Sequence, residues 1–300
     1  MSRPPRFDDE RFVTSGVGTP LWTGIAGSGP AVVLCDGLGC DGYVWKHILA
    51  DLRRDHTVVR LHYRGHGRSA VPRELREMSV EGLAEDLFLV LDAWSIESAM
   101  VAGHSMGVQV ILEAALGEQS DRINGLLALC GAPGRPLDTF KNTSMSARIF
   151  PRIRALAHRY PDLFRRIWRR MVPSEAALTL AHWFEINNAL VHVEELRPYL
   201  EELSTMDPLA FLAMLDDASR HSTEERLDAV DVPTLVVAAE HDTFTPMHRS
   251  ETMAEAIDGA ELFVLPQATH TGPLEWPELL NLRIRRFLRD RGLDPACLPG

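Results

Sequence analysis

Ser98–Leu116 reads SAMVAGHSMGVQVILEAAL, and this stretch decides the architecture. A short continuous apolar run, Ser98 to Gly103, predicts a buried strand. Residues from about Met106 to Leu116 have the length and composition of a helix. Between them Gly103-His104-Ser105-Met106-Gly107 forms a G-x-S-x-G pattern. A five-residue pattern is short enough to arise by chance, so its context carries the weight. Here a strand precedes it and a helix follows, and glycines two before and two after the serine let strand and helix approach closely. Ser105 would then project above the sheet on a tight turn, beside the positive end of a helix. An ordinary serine in a strand-to-helix turn is the plain alternative.

Working outward, the same alternation repeats. Ala31 to Cys35, His56 to Tyr63, Gly125 to Cys130, Pro233 to Ala239 and Ala260 to Leu265 read as strands. Tyr43 to Leu52, Val80 to Trp94, Met247 to Ile257 and Glu278 to Arg289 read as helices. Continuous apolar strands spaced by helices predict an α/β protein with a doubly wound, mostly parallel sheet covered on both faces. Arg11 to Gly24 suggests an antiparallel starting hairpin turning at Gly16-Val17-Gly18. The alternation breaks between about Ala132 and Leu227, a proline-punctuated and mostly helical region. We therefore expect a core of residues 1–133 and 228–300 with an inserted helical cap at 134–227.

A serine nucleophile needs a histidine base, and the histidine needs a carboxylate to orient it. His270 follows the strand ending at Leu265, and Asp242 follows the strand ending at Ala239. Loops at the carboxyl ends of parallel strands are where open α/β sheets build their sites. Glu240 is the rival acid, and Thr245-Pro246 reads as an N-cap with a first helical proline. A tetrahedral intermediate also needs two backbone N–H donors. Met106 supplies one, and the glycine-rich loop Asp36-Gly37-Leu38-Gly39 supplies the other, most plausibly through Leu38. Surface histidines, solvated acids and a simple glycine turn are the plain readings of these positions.

With these pieces placed, the chain resembles the α/β-hydrolase superfamily, in its capped esterase, lipase and haloperoxidase-like branch, from about Ala31 to His270. Tyr63-Arg64-Gly65-His66-Gly67-Arg68-Ser69 is similar to the family's R-G-x-G-x-S loop, and Val232 to Val237 leading to Asp242 and Pro246 is similar to its acid-bearing strand. The resemblance implies ester or lactone hydrolysis on Ser105, His270 and Asp242. Thioester cleavage, carbon–carbon hydrolysis and perhydrolysis use the same constellation, and a ligand-binding receptor with an idle triad is the non-enzymatic alternative. Two positions depart from the family pattern. Asp36 stands where a histidine is usual, and Val108 where a further glycine is common. Asp36 is expected to face away from the oxyanion loop or to be hydrogen-bonded.

The chain of 300 residues has a net charge of −11, which disfavours nucleic acid as a partner. The charged first ten residues and the lack of a long apolar run predict a cytoplasmic protein with no membrane span. Cys35, Cys40, Cys130 and Cys297 form no metal-ligand spacing and read as free thiols; no cofactor or metal is implied. Eight arginines fall between Arg148 and Arg170, interleaved with apolar residues. They are either the solvated face of cap helices or a contact for an anionic surface, carrier or coenzyme A thioester. Met145, Phe150, Met171, Trp183, Phe184, Phe211 and Met214 line an apolar pocket for a small-molecule acyl substrate or else form the cap's own core. Oligomeric state is left open.

Overall fold

The computed structural model describes residues 7–139, 145–184, 187, 190 and 193–294. Eight strands form one sheet: β1 (Asp9–Thr14), β2 (Pro20–Ala26), β3 (Ala31–Cys35), β4 (Thr57–Leu61), β5 (Ala99–His104), β6 (Ile123–Leu129), β7 (Thr234–Ala239) and β8 (Glu261–Leu265). Their spatial order is β1-β2-β4-β3-β5-β6-β7-β8. From β4 to β8 neighbours are parallel, whereas β1–β2 and β2–β4 are antiparallel. The expected hairpin is present and longer than its sequence signal. It turns through Ser15 to Thr19, with Gly18 at φ +83°.

The helices are α1 (Lys46–Leu52), α2 (Val80–Ala93), α3 (Met106–Ala115), α4 (Pro136–Thr139), α5 (Met145–Arg159), α6 (Pro161–Met171), α7 (Glu175–Phe184), α8 (Arg197–Thr205), α9 (Pro208–Arg220), α10 (Met247–Ala256), α11 (Gly272–Glu275) and α12 (Pro277–Asp290). Strands β5 and β7 are buried along their whole length. That follows from their position in the middle of a sheet with an apolar layer on each face. One layer joins β-strand residues such as Val101 and Val236 to α2, α3 and α10, and the other joins Leu34 and Leu127 to α1 and α12. Strand β8 lies at the sheet edge and alternates between exposed and covered side chains, as a half-solvated strand should.

Arg64 of the R-G-x-G-x-S loop is buried and structural. Its Nε and Nη2 donate to the two carboxylate oxygens of Asp86 in α2 at 2.7 and 2.8 Å. A fork of this kind fixes the loop in geometry as well as in charge. Ser69 completes the loop: its Oγ donates to His62 O and accepts from Trp22 N.

Helices α4 to α9 lie in the chain between β6 and β7. Helix α9 is tied to the sheet domain at two points. Asp217 accepts from Val80 N at the start of α2, and Ala218 O accepts from the Gln109 side chain of α3. Among the described residues, no helix is long and apolar enough to cross a membrane.

Candidate active site

Ser105 sits between β5 and α3 with φ 56° and ψ −119°, a conformation few side-chain-bearing residues adopt. The flanking glycines make it possible. A Cβ at Gly103 would lie 2.3 Å from Gly107 O, and one at Gly107 would lie 2.3 Å from Cys35 O. Val108, where a glycine is common, is accommodated across the interface: a Cβ on residue 131 would sit 2.3 Å from Val108 Cγ2, and that residue is itself glycine.

The structure brings Ser105, His270 and Asp242 together at the carboxyl edge of the sheet. His270 Nε2 lies 2.9 Å from Ser105 Oγ, and His270 Nδ1 lies 2.9 Å from Asp242 Oδ2. The Asp242 carboxylate is buried and fully occupied. Oδ1 accepts from the backbone N–H groups of Phe244 and Thr245, and Oδ2 also lies 2.8 Å from the Thr245 hydroxyl. Burial opposes ionisation here, but the His270 ring and the Thr245 donors outweigh it and hold the carboxyl below its ordinary value. An ionised Asp242 takes the hydrogen on His270 Nδ1, which leaves the Nε2 lone pair facing the serine hydroxyl.

Thr245 is not the helix cap read from sequence. Helix α10 starts at Met247 with Pro246 at its cap position, and the Thr245 hydroxyl is drawn instead to Asp242 and Cys130 O. Thr245 stands one residue outside the cap position, and its hydroxyl donates within the loop. Glu240, the rival acid, is exposed and accepts from Gln267 N.

Three side chains position the imidazole without having been singled out in the sequence. Phe244 stacks on His270 with ring centroids 4.9 Å apart. His104 donates from Nε2 to His270 O at 3.0 Å. Burial, with the His270 ring as a second cause, pushes the His104 pKa down to about 3, so it stays neutral and keeps that tautomer. Buried Glu275 accepts from Thr269 N and from the hydroxyls of Thr269 and Thr271, which pins the loop on both sides of His270. Only His104 carried a signal, as the residue before the serine in the motif.

Leu38 and Met106 both line a cavity of about 330 Å³ that opens over Ser105. Met106 begins α3, so its N–H lies in a first helical turn that has no intrahelical acceptor. Gly37 is the point of closest approach, where a Cβ would lie 3.0 Å from Ser105 Cβ. Asp36 is buried and turned to Arg60, whose Nη2 is 3.3 Å from its Oδ2 and 2.9 Å from Asp41 Oδ1. Burial drives its pKa up to about 6, with Arg60 opposing and Asp41 adding to the rise.

The cavity is walled by Tyr43, Leu137, Tyr199, Phe211, Leu215 and Phe244 among others. Of the side chains read as its lining, five are described; Phe211 is there and the other four are not. Phe150 and Met214 are buried in packing between helices and sheet, and Met145 and Met171 face solvent. The side chains of Trp183 and Phe184 lie outside the described residues, as does Cys297. Cys35, Cys40 and Cys130 are buried.

The model of the alpha/beta hydrolase fold matches residues 30–277. The chain belongs to the α/β-hydrolase family. This α/β-hydrolase is 28% identical over 268 residues to “Putative carbamate hydrolase RutD” of Caulobacter sp. strain K31, covering 88% of this chain and 92% of that protein. It is 24% identical over 269 residues to 3-oxoadipate enol-lactonase 1 of Acinetobacter baylyi, covering 89% and 92%. Among solved structures it shares its fold with a thermophilic esterase from Thermogutta terrifontis, at a TM-score of 0.77 and 23% identity over 94% of this chain and 99% of the other.

Proposed function

We propose that this α/β-hydrolase is a serine hydrolase that cleaves carboxylic esters, lactones among them, through a covalent acyl-enzyme. The observation that carries the reading is the unbroken line from Asp242 Oδ2 through the His270 ring to Ser105 Oγ, with 2.9 Å at each step. Ser105 Oγ attacks the acyl carbon while its proton passes to His270 Nε2. Asp242 holds the ring and stabilises the imidazolium. The oxyanion accepts from the backbone N–H groups of Leu38 and Met106. His270 then returns the proton to the leaving oxygen, the acyl–oxygen bond breaks, and water repeats the sequence on the acyl-enzyme. The largely apolar cavity suits the acyl chain of a small-molecule substrate. Residues 134–227 act as a cap, since α8 and α9 contribute Tyr199, Phe211 and Leu215 to that cavity. Two relatives are named a putative carbamate hydrolase and an enol-lactonase, and hydrolysis at a carbonyl carbon is chemistry that this geometry suits.

The reading is tested with p-nitrophenyl esters of rising chain length run beside acyl thioesters and a lactone. Ester or lactone turnover should exceed thioester turnover, and His270→Ala should lower kcat by about 10³-fold or more. A variant that retains more than about a tenth of the rate would move the base elsewhere. No turnover of any member would favour a receptor with an idle triad.

A further inference from the structure

Between Met145 and Met171 the sequence holds eight arginines and a single acid, Asp162, in a chain whose net charge is −11. The structure resolves which of these charges are already used. Arg154 pairs with Asp216, and Arg165 with Asp207 and Asp162. Arg148, Arg152, Arg159, Arg166, Arg169 and Arg170 are exposed, and among the described residues none of them pairs with a carboxylate.

The same two helices leave apolar surface in water. Eight large apolar side chains of this segment are 41–61% exposed. They are not scattered. Ile149, Ile153, Leu156 and Tyr160 follow a spacing of four, three and four along α5 and its end, and Leu163, Ile167 and Met171 follow a spacing of four along α6. Each set therefore makes one stripe. The inner faces are separately satisfied: Phe150 and Ala157 pack inward from α5, and Trp168 of α6 stacks near Phe211 and donates to Leu203 O. The outer stripes are thus surplus to the fold's own packing. Arg148, Arg152 and Arg159 flank the first stripe, and Arg166 and Arg170 flank the second.

We infer that the outer face of α5 and α6 is a docking surface for an anionic lipid bilayer. Charge complementarity selects the occupant. Aliphatic side chains beside arginines, whose apolar stems can lie along the interface while the guanidinium groups reach anionic headgroups, match a helix lying in the membrane plane. A protein partner is generally gripped by large aromatic anchors seated in pockets; here Trp168 and Phe164 turn inward, and the outer stripes set one ring, Tyr160, beside six non-aromatic side chains. Ser146, at the start of α5, lines the cavity over Ser105. The inference stands independently of the serine chemistry.

The experiment is flotation of the full chain with vesicles of phosphatidylcholine alone or with about a third phosphatidylglycerol. Binding is expected to the anionic vesicles and to be lost on raising the salt. Arg166→Gln/Arg169→Gln/Arg170→Gln should weaken it by about a hundredfold. Leu163→Ser/Ile167→Ser should weaken it by about tenfold or more. Both variants alter side chains already in solvent, so circular dichroism and hydrolysis of a water-soluble ester should stay at wild-type values. Ser105→Ala should bind vesicles as wild type does. No binding at low salt, or binding indifferent to both variants, overturns the inference. So does a concentration-dependent dimer in sedimentation that Leu163→Ser/Ile167→Ser abolishes, without vesicle binding, because the face then joins two copies.

Discussion

The loops that follow β3 and β7 each carry a buried aspartate, and their pKa values are shifted in opposite directions. Asp242 has hydrogen-bond donors at both oxygens and a histidine ring against it, and it is kept ionised. Asp36 is also buried, yet Arg60 reaches it at 3.3 Å, Asp41 shares that guanidinium, and the opposing help of Arg60 and Trp45 does not outweigh burial. Its pKa rises to about 6. Burial penalises charge in both loops; the donors aimed at the carboxylate decide which one ionises at lower pH. The lesson is that a carboxylate at a strand end is no site by itself. It becomes one when the surrounding backbone is already shaped to receive the ion.

The contrast is broken most severely by removing the charge that is well supported. Asp242→Asn keeps the shape but reverses the donor preference, so His270 takes the wrong tautomer. Steady-state ester hydrolysis should fall by about 10⁴-fold in kcat. A fall of less than tenfold would mean that another group orients the imidazole.

A backbone change comes next. Gly107→Ala puts a Cβ 2.3 Å from Cys35 O and 2.8 Å from Asp36 O, so α3 must move away from the loop bearing Leu38. We expect a loss of about a hundredfold in kcat/KM and a lowered melting midpoint, read by kinetics and calorimetry. A variant with unchanged rate would show that the Ser105 turn tolerates displacement.

The reverse outcome is expected at Asp36. Its raised pKa means that the folded state holds the proton more tightly than the unfolded chain. Stability from this residue is complete below about pH 4 and is lost as pH rises to about 6. Asp36→Asn mimics the protonated form, and Arg60 still has Asp41. Denaturant titrations should find the variant more stable than wild type by about 1–3 kcal/mol at pH 7–8, with the gap closing near pH 4. Asp242 has the opposite sign. Its contribution is present above about pH 4 and is lost as pH falls below that, through its depressed folded value. A less stable Asp36→Asn at pH 8 would mean that Arg60 depends on the Asp36 charge.

The smallest effect belongs to the cavity wall. Phe211→Ala should leave kcat on short esters within about threefold and shift the preferred acyl chain to greater length, because volume is added away from the reacting atoms. An unchanged chain-length profile would place the acyl chain against a different wall.

What could be read in advance follows the same division. The strands β3, β5, β6 and β7 are legible because burial on both faces demands unbroken apolar runs. Ser105, Asp242 and His270 are legible because each follows a strand at the same sheet edge, and the glycines around Ser105 answer a steric need that their spacing between a strand and a helix reveals. The cavity lining is not legible. In α5, Ile149 and Phe150 are neighbours in sequence, yet one faces water and the other packs inward; apolar character is the same on both, and only the docking of the helix separates them. The cap role expected of Thr245 is not legible because the helix begins one residue later than the proline suggests, which leaves the threonine outside it. Glu275 carried no signal at all, since its partners Thr269 and Thr271 come together only when the loop closes.

The central claim is that Ser105 is a nucleophile made reactive by His270. A fluorophosphonate probe followed by peptide mapping tests it most directly. Labelling should fall on Ser105 alone, vanish in Ser105→Ala and drop sharply in His270→Ala. An unlabelled wild-type protein, or a label that survives in Ser105→Ala, would contradict it.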